Sequence, residues 1–203
     1  MIKAIVLDIG GVLLRTEDRS GRVALEEQYS LPPGGAEKLV FRSKAAADTT
    51  LGKVSPDEIW QNVANALSLS PQALEEFKQK FWQGDQIDRE LLNYLTRLGS
   101  SYKTALLSNA WLDTREALAE EYQIIEGQTV DHILISSELG IAKPDPRIYH
   151  ILAEKINSDF NQILFVDDFP ENIEAAEALG IQTIHYQPGM DLIDHIQAKL
   201  DHH

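Results

Sequence analysis

Apolar positions along this chain change period twice. Residues 4 to 7, Ala4-Ile5-Val6-Leu7, form an unbroken apolar run, the pattern of a strand buried on both faces. The run delivers Asp8 and then breaks at Ile9-Gly10-Gly11-Val12-Leu13, where the paired glycines end the strand. The period then becomes helical as far as Trp82. Helices are expected over Val23 to Tyr29 ahead of Pro32-Pro33, over Ala36 to about Ala47, and over Ser55 to Leu67, where Ser55 and Glu58 have the spacing of a capping box with Pro56 in the first turn. Ser70-Pro71 opens a fourth, ending near Trp82. Trp60, Phe77, Phe81 and Trp82 supply bulk for a small bundle core.

From about Asp88 the pattern alternates between helix and strand. Helix Arg89 to Leu98, strand Lys103 to Leu107, helix Asp113 to Glu121, strand His132 to Ile135, helix Pro146 to Lys155 and strand Ile163 to Val166 follow one another. Helix Glu171 to Leu179, strand Gln182 to His185 and a last helix near Leu192 to Leu200 complete the series, with Gly99 and Gly180 where helix C-terminal glycines belong. The expected fold is therefore α/β: a doubly wound, Rossmann-like core around a parallel sheet, with an inserted α-helical bundle. The core would take residues 1–14 and 86–203, and the helical module residues 15–85.

Composition narrows the function. The chain has 203 residues, 43% of them hydrophobic, enough for a packed interior. A net charge of −14 leaves no broad basic surface, which argues against nucleic acid as a partner. An anionic ligand would need a local pocket of backbone amides, a cation or a metal. The absence of cysteine excludes disulfides, zinc-thiolate sites and thiol catalysis. No stretch is apolar enough for a signal peptide or a membrane span, so the expected setting is cytoplasmic, without a membrane partner, as a monomer or weak homodimer. His202-His203 reads either as a native tail or as the remnant of a purification tag.

Taken alone, Asp8 serves equally well as a turn or helix cap. Three later strands change that, because they too end in polar residues: Ser108-Asn109, Ser136-Ser137 ahead of Lys143, and Asp167-Asp168. In a parallel sheet these ends share one edge with Asp8, the edge where open α/β sheets bind ligands. Three carboxylates, a hydroxyl and a lysine then meet in one cleft. Converging acids in an already acidic protein repel unless a cation joins them, and an all-oxygen donor set selects a hard ion such as Mg²⁺. Ser108 with nearby backbone amides suits phosphoryl oxygens, Lys143 can neutralise charge on them, and an aspartate in line with phosphorus can attack it. The plainer alternatives are a helix-capping Ser108, an exposed loop Lys143, a purely structural Asp167-Asp168 pair and a solvent-facing Asn172.

Together the four segments resemble the haloacid dehalogenase superfamily. The first motif matches Val6-Leu7-Asp8-Ile9-Gly10-Gly11-Val12-Leu13, the second Leu106-Leu107-Ser108-Asn109, the third Gly140-Ile141-Ala142-Lys143-Pro144-Asp145, and the fourth Phe165-Val166-Asp167-Asp168 with Glu171-Asn172 following. The helical insertion resembles that family's C1-type cap. The resemblance implies a Mg²⁺-dependent phosphomonoester hydrolase acting on a small phosphorylated metabolite, such as a sugar phosphate, through an aspartyl-phosphate intermediate. Asp8 would be nucleophile and metal ligand, with the Gly10 carbonyl, Asp168 and Asp167 as further ligands. Ser108, Asn109, Gly11 and Lys143 would hold the phosphate, Lys143 also bridging to Asp8, and Asn172 would orient the cluster.

One position departs from the phosphatase pattern. A second aspartate usually stands two residues after the nucleophile as general acid and base, and here that place is Gly10. A positioned acid or base contributes about 10² to 10⁴ in rate, so its absence should slow turnover and favour leaving groups that are stable as anions. Two further readings are a 2-haloacid dehalogenase, which the Asp167-Asp168 pair argues against, and a noncatalytic phosphate-binding or regulatory protein. A phosphomutase would need the missing acid. Arg15, Arg19, Arg22 and Arg42 would either contact a second anionic group or solvate helix faces.

Overall fold

The computed structural model describes residues 1–201; the His202-His203 pair lies outside them. In chain order the elements are β1 (Ala4–Leu7), β2 (Leu14–Thr16), α1 (Ser20–Gln28), α2 (Gly35–Phe41), α3 (Lys44–Thr50), α4 (Asp57–Leu67), α5 (Pro71–Trp82) and β3 (Asp85–Ile87). They continue as α6 (Arg89–Leu98), β4 (Lys103–Ser108), α7 (Thr114–Glu120), β5 (His132–Ile135), α8 (Ser136–Leu139), α9 (Pro146–Ile156), β6 (Ile163–Asp167), α10 (Pro170–Ala178), β7 (Gln182–His185) and α11 (Leu192–Asp201).

Five strands form one sheet in the order β5-β4-β1-β6-β7, with every pairing parallel. The expected α/β fold around a parallel sheet is thus present. β1 lies at its centre, and all four of its side chains are buried. Alternate residues serve opposite faces: Ile5 and Leu7 pack with Leu91 and Leu95 of α6, Leu118 of α7 and Ile196 of α11, whereas Ala4 and Val6 pack with Ile148 and Leu152 of α9 and Ala176 of α10. Helices on both faces are what turn the continuous apolar strands into a closed interior.

A third apolar cluster gathers Leu25, Val40, Ile59, Val63, Phe77 and Phe81 from α1, α2, α4 and α5, with Trp82 and Trp111 packed against it. The helix expected over 36–47 is two helices. The break falls at Arg42-Ser43, where the Ser43 hydroxyl accepts a hydrogen bond from the Ala46 amide at 3.0 Å and starts α3. The box expected from Ser55 and Glu58 does not form either: Ser55 accepts from the Asp57 amide at 3.2 Å, and α4 begins there. Nothing in the sequence pattern anticipates β2 and β3, which pair antiparallel from Leu14↔Ile87 to Thr16↔Asp85 and flank the five-helix segment α1 to α5.

The arginines expected to meet an anion or solvent are mostly committed to the fold. Arg15 pairs with Glu17 at 2.8 Å and Asp88 at 2.7 Å, and Arg19 with Glu37 at 2.7 Å. Arg22 is buried, its guanidinium bonding Glu37 at 2.6 Å, Asp85 at 2.7 Å and the Phe81 carbonyl at 3.1 Å. It ties α1 to α2 and to the foot of β3. Arg22→Met should destabilise the protein by about 3 kcal/mol in urea unfolding, because it strands the Asp85 carboxylate in the interior. Adding Asp85→Asn to that variant should recover a good part of the loss. A single variant as stable as wild type would contradict this account.

Candidate active site

Each candidate residue sits where a strand stops. The Asp8 amide still donates to the Val166 carbonyl at 2.9 Å, continuing the ladder one residue past β1, and its carboxylate accepts from the Ile9 amide at 2.7 Å. The register Leu7↔Leu106 and Leu7↔Val166 sets the ends of β4 and β6 on either side of it, bringing up Ser108 and Asp167. After Leu7 the backbone turns back on itself, with the Leu13 and Leu14 amides both donating to the Ile9 carbonyl. The Gly10 carbonyl receives none of the described hydrogen bonds. Gly11 adopts φ +82°, and a Cβ there would lie 2.2 Å from the Asp168 carboxylate, so only glycine allows this approach.

Lys143, fully buried, arrives from the loop after α8. Its ammonium donates to Asp167 at 2.6 Å and to the Leu107 carbonyl at 2.9 Å, and it lies 3.0 Å from Asp8. Asn109 holds it there: the Asn109 amide nitrogen donates to the Lys143 carbonyl, and its oxygen accepts from the Lys143 amide, both at 2.8 Å. The Asn109 side chain is thus turned to the lysine backbone. Asn172 donates to both oxygens of Asp167, at 2.9 and 3.1 Å, and the Phe169 amide adds a third donor at 2.8 Å. Asn172 is buried, so it does not face solvent. The Tyr149 hydroxyl donates to the Asn172 carbonyl at 2.8 Å. Sequence reasoning passed over Tyr149 because it lies among the apolar residues of α9 and reads as core.

Asp168 differs from its neighbour. Its Oδ1 is buried with no hydrogen-bond partner, whereas every oxygen of Asp167 has a donor. One oxygen from each of Asp8, Asp167 and Asp168 lies within 4.8 Å of the others. Burial pushes the Asp8 carboxyl up from 3.8 to about 7 despite Lys143, with repulsion from Asp167 and Asp168 adding to the rise. Burial and Asp167 likewise push Asp168 up to about 6. Three carboxylates face a single ammonium, that of Lys143, and their oxygen-only donors fit a hard divalent cation such as Mg²⁺. The cluster opens into a cavity of about 1560 Å³, also lined by Gly10, Gly11, Ser108, Asn109 and Lys143.

Comparison with known proteins points to a family. The family model described as haloacid dehalogenase-like hydrolase matches residues 2–180. D-ribitol-5-phosphate phosphatase of Bacteroides thetaiotaomicron is 29% identical over 200 residues, covering 94% of this chain and 95% of that protein. Bifunctional epoxide hydrolase 2 of Sus scrofa is 26% identical over 201 residues, but the match spans 90% of this chain and only 36% of that longer protein. Among solved structures, a HAD family enzyme of Bacteroides thetaiotaomicron, in complex with magnesium and inorganic phosphate, superimposes with a TM-score of 0.78 at 22% identity over 97% of this chain and 99% of that one. No helix among the described residues is long and apolar enough to cross a membrane.

Proposed function

The chain belongs to the haloacid dehalogenase-like hydrolases, and from that premise we propose that it is a Mg²⁺-dependent phosphatase of small phosphomonoesters working through an aspartyl-phosphate on Asp8. The observation that carries the reading is the unpartnered Asp168 oxygen beside Asp8, in a cluster that already contains its lysine. The ribitol-phosphate phosphatase and the magnesium- and phosphate-bound neighbour support it. In this reading residues 15–85 form a cap over a core of 1–14 and 86–203.

Asp8, Asp168 and the Gly10 carbonyl would hold the ion directly, and Asp167 would steady the cluster from behind, since its oxygens are already engaged by Lys143, Asn172 and the Phe169 amide. An ion held by these residues would supply positive charge that favours ionised Asp8 beside an anionic phosphoryl group. The Asp8 oxygen attacks phosphorus in line, the bond from phosphorus to the ester oxygen breaks, and the alkoxide or aryloxide departs with the electron pair. Lys143 balances charge on the phosphoryl oxygens, with Ser108, the backbone amides near Gly11 and Asn109 completing the cradle. Water then attacks the same phosphorus, which releases inorganic phosphate and returns the carboxylate. No side chain at position 10 protonates the leaving oxygen.

A phosphomonoester panel with Mg²⁺ tests this: hydrolysis should vanish in EDTA and return when Mg²⁺ is restored. Background rates across a broad panel would favour the noncatalytic alternative, and halide release from a 2-haloacid without Mg²⁺ the dehalogenase. Mg²⁺ should also raise the melting temperature more at pH 8 than at pH 5. Asp8 and Asp168 have folded values near 7 and 6 against 3.8 when unfolded, so the metal-free fold loses stability as pH rises through that window. A cation that pairs with the ionised groups restores what was lost. An equal shift at both pH values would count against the cluster as its binding site.

A further inference from the structure

The cavity has a second wall that phosphoryl chemistry leaves unexplained. Phe41 and Phe169 are the only exposed aromatic side chains among the described residues, at 44% and 50%, and both line this cavity. Trp82 and Trp111, half-buried, continue the surface: the Phe41 ring centre lies 5.8 Å from Trp82 and 6.0 Å from Trp111, which are themselves 6.0 Å apart. Trp60 and Phe81 are buried behind them, so the front rings are backed by a packed layer. Concave apolar surface that continues into a polar site is the usual form of a ligand pocket.

Two threonine hydroxyls of the same region are already engaged. Thr16 donates its hydroxyl to Asp85 at 2.7 Å, and Thr50 donates to the Ala46 carbonyl at 2.9 Å. Arg15 and Arg22 line the cavity but are held by carboxylates; Arg42 alone among these cavity arginines has no ion pair. Apart from the indole N–H groups, the aromatic face itself offers a polyol no donor or acceptor, whereas a hydrocarbon body would find apolar surface to cover.

We propose that the group esterified to the phosphate is a hydrocarbon-rich body, seated on Phe41, Trp82, Trp111 and Phe169, in place of a sugar or polyol. The proposal rests on the phosphatase reading for the position of the phosphate. It is tested separately, by calorimetric binding to the Asp8→Asn protein with Mg²⁺, which removes the nucleophile. Butyl, hexyl and octyl phosphate should bind progressively tighter, by up to about fourfold per methylene, and all should be displaced by inorganic phosphate. Octyl phosphate should bind at least tenfold tighter than ribitol 5-phosphate.

Phe41→Ser and Phe169→Ser, both at exposed positions, should flatten the dependence on chain length. Affinity independent of chain length, or tighter binding of ribitol 5-phosphate, would overturn the proposal. So would tighter binding of a sugar bisphosphate that is lost in Arg42→Gln, which would assign the wall to a second anionic group. If the wild-type protein hydrolyses no phosphate at all, acetyl phosphate included, while the chain-length series holds, the phosphatase reading falls and the hydrocarbon-binding surface stands.

Discussion

Asp8→Asn is expected to lower phosphomonoester hydrolysis by roughly four orders of magnitude while making the metal-free protein more stable. The first effect follows from removing the oxygen proposed to attack phosphorus, since no other carboxylate among the described residues holds its place at the end of β1 and single losses from a concerted catalytic group carry penalties of about this size. The second follows from the interior around Asp8. Burial and the neighbouring acids hold its carboxyl near 7 in the fold against 3.8 outside it, so at pH 8 folding has to accommodate a charge that its surroundings disfavour. Asparagine keeps the shape and can still accept from the Ile9 amide. Lys143 retains Asp167 at 2.6 Å and the Leu107 carbonyl, and is not left unpaired. A gain of about 1 to 3 kcal/mol is expected, or several degrees in melting temperature in EDTA at pH 8, shrinking toward pH 4 as the native carboxyl becomes protonated. Loss of activity with an unchanged or lower melting temperature at pH 8 would mean that the acids of this cluster do not repel one another as described.

Gly10→Asp is expected to accelerate hydrolysis of alkyl phosphates by about 10² or more and to change aryl phosphates much less. An alkoxide leaves poorly without a proton, and an aryloxide leaves with little help. Space for the new side chain exists: Gly10 is exposed, a Cβ there meets nothing within 4 Å, and its φ lies outside the left-handed region. The contrast with Gly11 is instructive, because one residue further on the same addition collides with Asp168. Rates should be compared for one aryl and one alkyl phosphate in wild type and variant. Equal rates on both esters in the wild-type protein would remove the basis for this expectation.

Much of the scaffold was legible because its signals are local. Continuous apolar runs mark β1, β4 and β6, and the polar residue after each run marks the edge where the site assembles. The short pairing of Leu14–Thr16 with Asp85–Ile87 was not legible, since three half-buried residues carry no period and their partner lies across five helices of intervening sequence. The break at Arg42-Ser43 was missed for a different reason: helical propensity on both sides hides a cap that only the Ser43 geometry reveals. Within the site, the candidate residues could be named, but not their internal division of labour. That Asn109 grips the Lys143 backbone and that Asp167 is fully engaged while Asp168 is not are long-range facts, set by segments distant in sequence. Trp82 packs against the helical core as its pattern suggests, but its grouping with Phe41 and Trp111 was not legible, because those two come from other segments.

The central place of β1 bears on how the molecule is made. Its strand partners are β4 and β6, and until Lys103–Ser108 has been synthesised this apolar strand, Ala4 to Leu7, has no backbone partner. At ribosomal speed that interval lasts about 5 to 20 s, many orders of magnitude longer than the collapse of a chain segment. For that time β1 stays without a strand partner, an apolar segment open to aggregation, while the helices that follow are already able to form. Asp8 therefore reaches its strand-end neighbours only after residues far later in the chain have been made.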